Sequence, residues 1–478
     1  MTDIRRAAHG VLLAAFQGTS IPEWLAPAFA DGLGGICLYG NNMAPGSDLI
    51  GLARSVRALD PTAVLTLDEE GGDVTRLHAG AGSPHPGNAA LGRHDDVAAT
   101  EAIAAGIGAE LAAAGIWINL APCADINSNP LNPVIGTRSF GSDPALVSRH
   151  TAAYVRGLAS QGVAASVKHF PGHGDTSADS HLALPRVNAS ATELRQRELA
   201  PFRAAIDAGA ATIMTSHVVL EAIDPTLPAT LSRVVLTDLL RGELGYQGVI
   251  VSDALDMAGA SAQHGIDGAA VLSLIAGADL LCLGPEENNE PKTIRLVVDA
   301  ICAAVEDGRL PAERLLDAAD RVASLRQTWS SLTSTPGVAV ETALAASETV
   351  AAALAADIEP LPGTSATVIR IDTGTNPAVG ATDWGRLDLP GESLDLTAAQ
   401  LADMPLPGGT VIVVARRATS HPDVWAWISR LLDANPQAWL LELGWPDPAL
   451  ESLDRVVCSW GSATVLTDAI VAAWTRQP

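Results

Sequence analysis

Lysine is almost missing from this chain. Of 29 basic residues only Lys168 and Lys292 are lysines, and the rest are arginines. A lysine kept against such a habit marks a place where a compact ammonium is needed. Positive charge is scarce altogether: 54 Asp and Glu outnumber the bases, for a formal charge of −25 at pH 7. That argues against nucleic acid and against an anionic membrane surface as partners. Long apolar runs are lacking too; stretches such as Ala269 to Ala276 are too short to span a bilayer. Arg5 and Arg6 near the start are not followed by an apolar segment ending in a small-residue cleavage site, so a cytoplasmic protein is expected. The five cysteines form no CxxC pair. Cys37, Cys123, Cys282 and Cys458 sit in strand-like runs and Cys302 in a helix-like one. They read as small buried hydrophobes in a reducing compartment.

What is present points to two α/β units. A length of 478 residues with 48% hydrophobic content can build a domain of about 250–300 residues and a smaller one. Eight strand candidates precede residue 290: Val11–Phe16, Gly35–Tyr39, Val64–Leu67, Ile116–Leu120, Val163–Val167, Ala211–Thr215, Gly248–Ser252 and Asp279–Leu283. Ala/Leu-rich stretches of helical spacing lie between most of them, as at Thr100–Ala114, Leu146–Gln161 and Glu193–Ala208. This alternation predicts a (β/α)8 barrel. A doubly wound sheet would show a Gly-rich phosphate loop after its first strand, and Phe16-Gln17-Gly18-Thr19 is not one. The texture changes at the Ser/Thr/Pro/Gly-rich segment Ser330–Val338. The expected division is a barrel over 1–332, a linker over 333–340 and an α/β sandwich over 341–478. The sandwich strands are expected at Thr367–Ile371, Thr410–Val414, Trp439–Leu443 and Arg455–Ser459, after a helix at Glu341–Ala356. Seven of the ten tryptophans lie in this part and read as packing anchors before sugar platforms.

The barrel candidates end in polar residues. Asp68-Glu69-Glu70-Gly71-Gly72 follows the third strand, with Arg76 beyond; Asp125, Asn127 and Asn129 follow the fourth. Lys168 and His169 end the fifth, Ser216 and His217 the sixth, Ser252 and Asp253 the seventh. Side chains at strand C-termini converge on one mouth of a barrel, the arrangement of an enzyme. The richest segment is Lys168–His181, KHFPGHGDTSADSH, in which Pro171, Gly172 and Gly174 demand a shaped loop. Within it Asp179 stands two residues before His181, and a carboxylate bonded to an imidazole fixes its tautomer and raises its basicity. The plain alternative is a local turn with a solvated histidine. Asp253 is a candidate nucleophile, base or metal ligand, or simply a helix N-cap. Arg138, a lone cation in an apolar loop, is placed to pair with Asp68 or to grip a substrate oxygen. His169, His173 and His181 with Asp175 or Asp179 are a candidate zinc set. Pro171 and Gly172 spoil a helical pairing of the first two, so no metal and no cofactor is expected.

Taken together these motifs resemble glycoside hydrolase family 3, and within it the bacterial β-N-acetylglucosaminidases. The resemblance rests on Asp68–Gly72 with Arg76, on Asn127-Ser128-Asn129-Pro130 and the Asn132–Phe140 loop, on Lys168–Thr176 with Asp179-Ser180-His181, and on Gly248–Leu255. It implies Asp253 as nucleophile and His181, oriented by Asp179, as acid/base. Asp68, Arg76, Arg138, Lys168 and His169 would hold the sugar or brace residues that do. The chain departs at Asp73, where the family commonly carries Arg, and at Ala254, where a second Asp is common. A nucleophilic carboxylate with an acid/base is the retaining, double-displacement arrangement. Histidine in place of an acid carboxyl lessens repulsion of an anionic acceptor, and some relatives with this dyad are described as phosphorylases. The expected partners are amino-sugar glycosides, with inorganic phosphate as an alternative acceptor. The competing readings are a metal-dependent barrel hydrolase, a non-catalytic sugar binder and, as runner-up substrate, a β-glucoside. The aglycone stays open between a muropeptide, as in peptidoglycan recycling, a chitin fragment and another conjugate.

Overall fold

The computed structural model describes residues 2–43, 47–176, 184–285, 291–330, 336–363, 365–374, 378–379, 385–402, 404–450 and 453–476. Eight short strands line the first domain: β1 (Leu12–Ala14), β2 (Gly35–Cys37), β3 (Val64–Leu67), β4 (Ile118–Asn119), β5 (Ala164–Phe170), β6 (Thr212–Thr215), β7 (Val249–Val251) and β8 (Leu281–Cys282). They pair in parallel in the spatial order β8-β1-β2-β3-β4-β5-β6-β7, and a bridge from Val251 to Leu280 joins the two ends. Every strand residue is buried, so the segments are largely apolar on both faces, with polar residues such as Asn119, Lys168, His169 and Thr215 toward their C-terminal ends. All eight expected strands exist; Val64–Leu67 has the expected bounds, and the others are trimmed or shifted by a few residues.

Helices surround the strands. Val97–Ala114 starts at Asp96, whose carboxylate accepts from Ala98 N and Ala99 N, and stops at Gly115 in the left-handed conformation. Pro144–Ser160 is capped by Asp143 with proline in its first turn. The single helix expected over Glu193–Ala208 is two, Ala191–Gln196 and Ala200–Asp207. Pro201 has no N–H to donate backward and restricts the residue before it, so it opens a new helix. The break leaves Glu198 buried under the β5 loop.

The second sheet has five parallel strands, β9 (Thr367–Asp372), β10 (Ser393–Thr397), β11 (Val411–Ala415), β12 (Ala438–Glu442) and β13 (Val456–Cys458), in the order β10-β9-β11-β12-β13. Helix Pro422–Ala434 covers one face with Trp427, Ile428 and Leu431; Ile470 and Trp474 of Thr464–Trp474 cover the other. This is the expected sandwich plus an edge strand, β10, whose alternating exposure hid it in the sequence.

Two expectations need correction. The linker does not extend over 333–340, because a helix runs Pro336–Leu354, starting five residues before the expected Glu341. That helix lies along Val97–Ala114 of the barrel: a Cβ placed on Gly106 would fall 2.1 Å from the Ala343 Cβ. His85 Nδ1 and Ser347 Oγ, 2.9 Å apart and buried, tie it to the loop after β3. Secondly, Val97–Ala114 and Gly337–Leu354 are long and apolar enough, by length and composition, to cross a membrane. In the fold they pack on each other, which accounts for the buried face of Val97–Ala114; only Ala343, Ser347, Val350 and Ala351 of the second helix are buried, and the rest of its apolar character comes from residues outside that face.

Close approach at Gly106 yields the first test. Gly106→Val should force the two helices apart and cost about 1–3 kcal/mol, lowering the thermal midpoint by several degrees. A midpoint equal to the wild type in circular dichroism melts would refute this packing.

Candidate active site

The polar strand ends do converge. A cavity of about 720 Å³ at the C-terminal mouth of the barrel is lined by Asp68, Arg76, Arg138, Lys168, His169 and Asp253 among others. All six of these expected site residues are thus brought to one place. Asp179 and His181 lie outside the described residues. The chain reaches the cavity wall at His173 and is described as far as Thr176.

At the centre is a buried ion network. Lys168 Nζ lies 2.5 Å from Asp68 Oδ1 and 2.7 Å from Glu70 Oε1. Arg138 grips Glu70 with two parallel bonds, Nε to Oε2 at 3.0 Å and Nη2 to Oε1 at 2.8 Å. Arg138 therefore pairs with Glu70, not with Asp68 as one reading of the sequence had it. Arg76 Nη2 stands 3.9 Å from Asp68 Oδ2 and donates to Ala378 O at 2.9 Å. Burial alone would raise the Glu70 carboxyl, but Arg138 and Lys168 outweigh it and hold it at about 2. Burial likewise lowers the Lys168 ammonium, and Asp68 and Glu70 more than reverse this. Glu70, Arg138 and Lys168 are thus each held in the charged form, with donors and acceptors fixed before any substrate arrives.

A second group orients His169. Its Nδ1 is 2.6 Å from Asp125 Oδ2, and Asp125 Oδ1 accepts from His173 N at 2.7 Å and from His169 N at 3.3 Å. His169 Nε2 is left toward the cavity, 3.4 Å from Arg138 Nη2. Asp125 is held well below the ordinary carboxylate range, because His169 and His173 outweigh its burial. Cys123, Asp125 and His169 bring three possible metal-ligand atoms together. The Asp125 oxygens already accept from Cys123 Sγ, the imidazole and two amides, which is the arrangement of an orienting carboxylate.

Asp253 follows β7. Its N–H donates to Thr215 Oγ1 at 3.2 Å, and its Oδ1 accepts from Ala254 N at 2.8 Å. His217, at the end of β6, bonds Ala254 O at 2.9 Å and Thr230 Oγ1 at 2.9 Å, bracing the turn that presents Asp253. Tyr39, Asp256, Met257, Ser261 and Pro285 also line the cavity. Asp256 rests on Gly284, where any Cβ would fall 1.8 Å from Oδ1. Two glycines of the motifs have steric reasons: Gly72, at φ +60°, meets Gly87 Cα, and a Cβ on Gly174 would fall 1.7 Å from Ile126 O.

A family model described as the glycosyl hydrolase family 3 N-terminal domain matches residues 20–325. The chain belongs to glycosyl hydrolase family 3. A protein named Beta-hexosaminidase A from Pseudoalteromonas piscicida is 35% identical over 318 residues, 62% of this chain and 53% of that protein; the chain thus spans about half the length of this relative. A Beta-hexosaminidase from Chromobacterium violaceum is 36% identical over 318 residues, 64% of this chain and 85% of its own length. Among solved structures, a glycoside hydrolase family 3 β-N-acetylglucosaminidase from Paenibacillus sp. str. FPU-7 aligns over 98% of this chain and 96% of that one, with TM-score 0.83 and 31% identity. The two-domain layout is therefore shared with a solved member of the family, and the chain is an enzyme of that family.

Glu70 and Asp125 are the residues the sequence undervalued. Glu70 looked like one carboxylate in a solvated run, and Asp125 like one polar strand end among several. Glu198 was not singled out at all. Its Oε1 accepts from Arg197 Nε at 2.6 Å, while Oε2 has no partner among the described residues. Burial raises its carboxyl to about 7 in spite of Arg197.

Two outcomes follow from these environments. Lys168→Arg keeps the charge but cannot place a compact ammonium between Asp68 and Glu70. Aryl-glycoside kcat/KM should fall by about 10–100-fold, and wild-type kinetics would show the lysine to be incidental. For Glu198, the folded chain keeps a proton between pH 4.5 and about 7 that the unfolded chain, at its ordinary value of 4.5, has released. Stability should therefore fall as pH rises through this window. Glu198→Gln should flatten the profile there, a difference on the order of 3 kcal/mol across the window in denaturant melts. Parallel profiles for the two proteins would contradict the assignment.

Proposed function

We propose that this chain is a retaining, exo-acting β-N-acetylglucosaminidase. The observation that carries the reading is the placement of the Asp253 carboxylate in one cavity with Lys168, Asp68, Arg138 and His169. Alternating cations and carboxylates suit a ring of sugar hydroxyls, each of which both donates and accepts. A bounded cavity is consistent with taking one terminal residue. The amino-sugar preference draws on the relatives named beta-hexosaminidases and on the solved β-N-acetylglucosaminidase.

In the first step an Asp253 oxygen attacks the anomeric carbon as the glycosidic bond breaks. The leaving oxygen takes a proton from His181, the role its resemblance to the family implies, with Asp179 orienting the ring. In the second step water gives a proton to the same imidazole and attacks the anomeric carbon, and Asp253 departs as carboxylate. The five free thiols suit a reducing compartment, in keeping with a cytoplasmic enzyme.

Charge favours water over phosphate as acceptor. Once Asp253 is esterified, Asp68, Glu70 and Asp256 remain opposite Arg76, Arg138 and Lys168. These six charges cancel formally, and Asp179, which orients His181 in this reading, adds a negative one. Each of the three cations already faces Asp68 or Glu70, so none of them is uncommitted for a phosphate dianion.

Asp253→Asn should lower kcat by more than about 1000-fold with an unchanged circular dichroism spectrum, and a slow fluorinated N-acetylglucosaminide should label Asp253. A label on Asp68 or Glu70 would defeat the assignment. Product analysis in millimolar phosphate should give free N-acetylglucosamine; N-acetylglucosamine 1-phosphate as the main product would make the enzyme a phosphorylase on the same residues.

A further inference from the structure

Asp73, one of the two positions at which the chain departs from the pattern that its resemblance to the family implies, has unusual surroundings. It is buried, and all of its acceptor capacity is used. Oδ1 accepts from Ser462 N and Ser462 Oγ, both at 2.7 Å. Oδ2 accepts from Thr137 Oγ1 at 2.8 Å and from Arg416 Nη1. Arg416 closes the triangle with Nη2 to Ser462 Oγ at 2.9 Å. Thr137 and Asp73 belong to the barrel loops that carry Arg138 and Arg76. Arg416 and Ser462 belong to the C-terminal sheet domain.

The partner side is itself rigid. Arg416 follows β11, and the turn after it is pinned by Glu442 at the end of β12. The buried Glu442 carboxylate accepts from Arg417 N at 2.6 Å, Ala418 N at 2.9 Å and Gly444 N at 2.6 Å. Arg417 adds a bond to Leu131 O at 3.1 Å in the barrel loop that leads to Arg138. The same domain supplies Ala378 O to Arg76 and places Ala378 in the cavity wall. Both cation-bearing loops are thus held from outside the barrel.

We propose that Asp73, Arg416 and Ser462 form an interdomain clasp through which the C-terminal domain positions Arg76 and Arg138 for substrate. The three are positioning residues; they lie behind the cations that line the cavity. The role of the clasp in binding rests on the glycosidase reading above, whereas its role in ordering the two loops does not. A buried carboxylate that joins two loops of one domain to two segments of another has the geometry to couple them, because releasing it leaves an unpaired charge in the interface.

The test uses the full chain. Arg416→Ala should raise KM for an aryl N-acetylglucosaminide by about 10–100-fold while kcat changes by less than about 3-fold, and Arg416→Lys should recover KM to within about 3-fold of wild type. In the same Arg416→Ala protein, amide hydrogen exchange should speed up in residues 69–76 and 131–138. A folded Arg416→Ala enzyme with wild-type KM and unchanged exchange in both loops would overturn the proposal. So would a loss that tracks only the folded fraction. Should Arg416→Ala fail to fold, Ser462→Ala removes one hydroxyl only. It should raise KM by about 3-fold and quicken exchange in residues 69–76, and wild-type values in both would equally overturn the clasp. If the wild-type enzyme fails to turn over the glycoside, the substrate reading falls, and the exchange measurement still decides the clasp.

Discussion

Glu70 holds the site together. One buried carboxylate lies between Arg138 and Lys168, and Lys168 reaches on to Asp68. Two cations at the floor of a cavity would repel each other and lose hydration; the shared anion is what lets both remain charged and aimed. Removing one partner of such a buried pair costs roughly 3–5 kcal/mol, because the remaining charge has no substitute for water. The consequence for chemistry is preorganisation. The groups that meet the sugar are fixed by one another, so little reorganisation is left for the bound state.

The same logic extends outward in layers. Asp125 does for His169 what Glu70 does for the cations, and His217 steadies the turn that presents Asp253. Arg138, Lys168 and His169 are each backed by a buried carboxylate from another strand end. A parallel barrel makes this possible because every strand delivers its last residues to the same mouth. Specific function then depends on the strand ends and the loops that follow them, while the strands beneath are mostly apolar.

Much of this was legible in the sequence, for identifiable reasons. The eight strands announced themselves because each is buried on both faces. Asp68, Arg76, Arg138, Lys168, His169 and Asp253 stood out because polar groups at apolar strand ends have few structural uses. Pairing was less readable. Asp68, Glu69 and Glu70 are adjacent in sequence, and only the backbone path decides that Glu70 turns under Lys168 while Glu69 accepts from Arg76 N and Leu77 N. The helix break at Pro201 was hidden by good helical spacing on both sides of it. Strand β10 was missed because an edge strand with half its residues exposed carries no apolar run. The segment around Pro336 looked like a linker on composition, but an Ala-rich stretch beyond it finds a matching small-residue groove on the barrel, a partner that composition does not reveal.

That last helix changes what counts as a unit of this protein. Pro336–Leu354 follows the last helix of the barrel in the chain, yet it fills a groove beside Gly106 and bonds to His85. Cutting the chain at residue 332, where composition places the boundary, would strip away this packing and bare a strip of alanine and glycine on the barrel wall. The piece that can be excised, exchanged or fused is the barrel with this helix attached. A recombination that joins this barrel to another C-terminal domain has its seam after residue 354, and a new domain joined there would inherit the helix as its foundation.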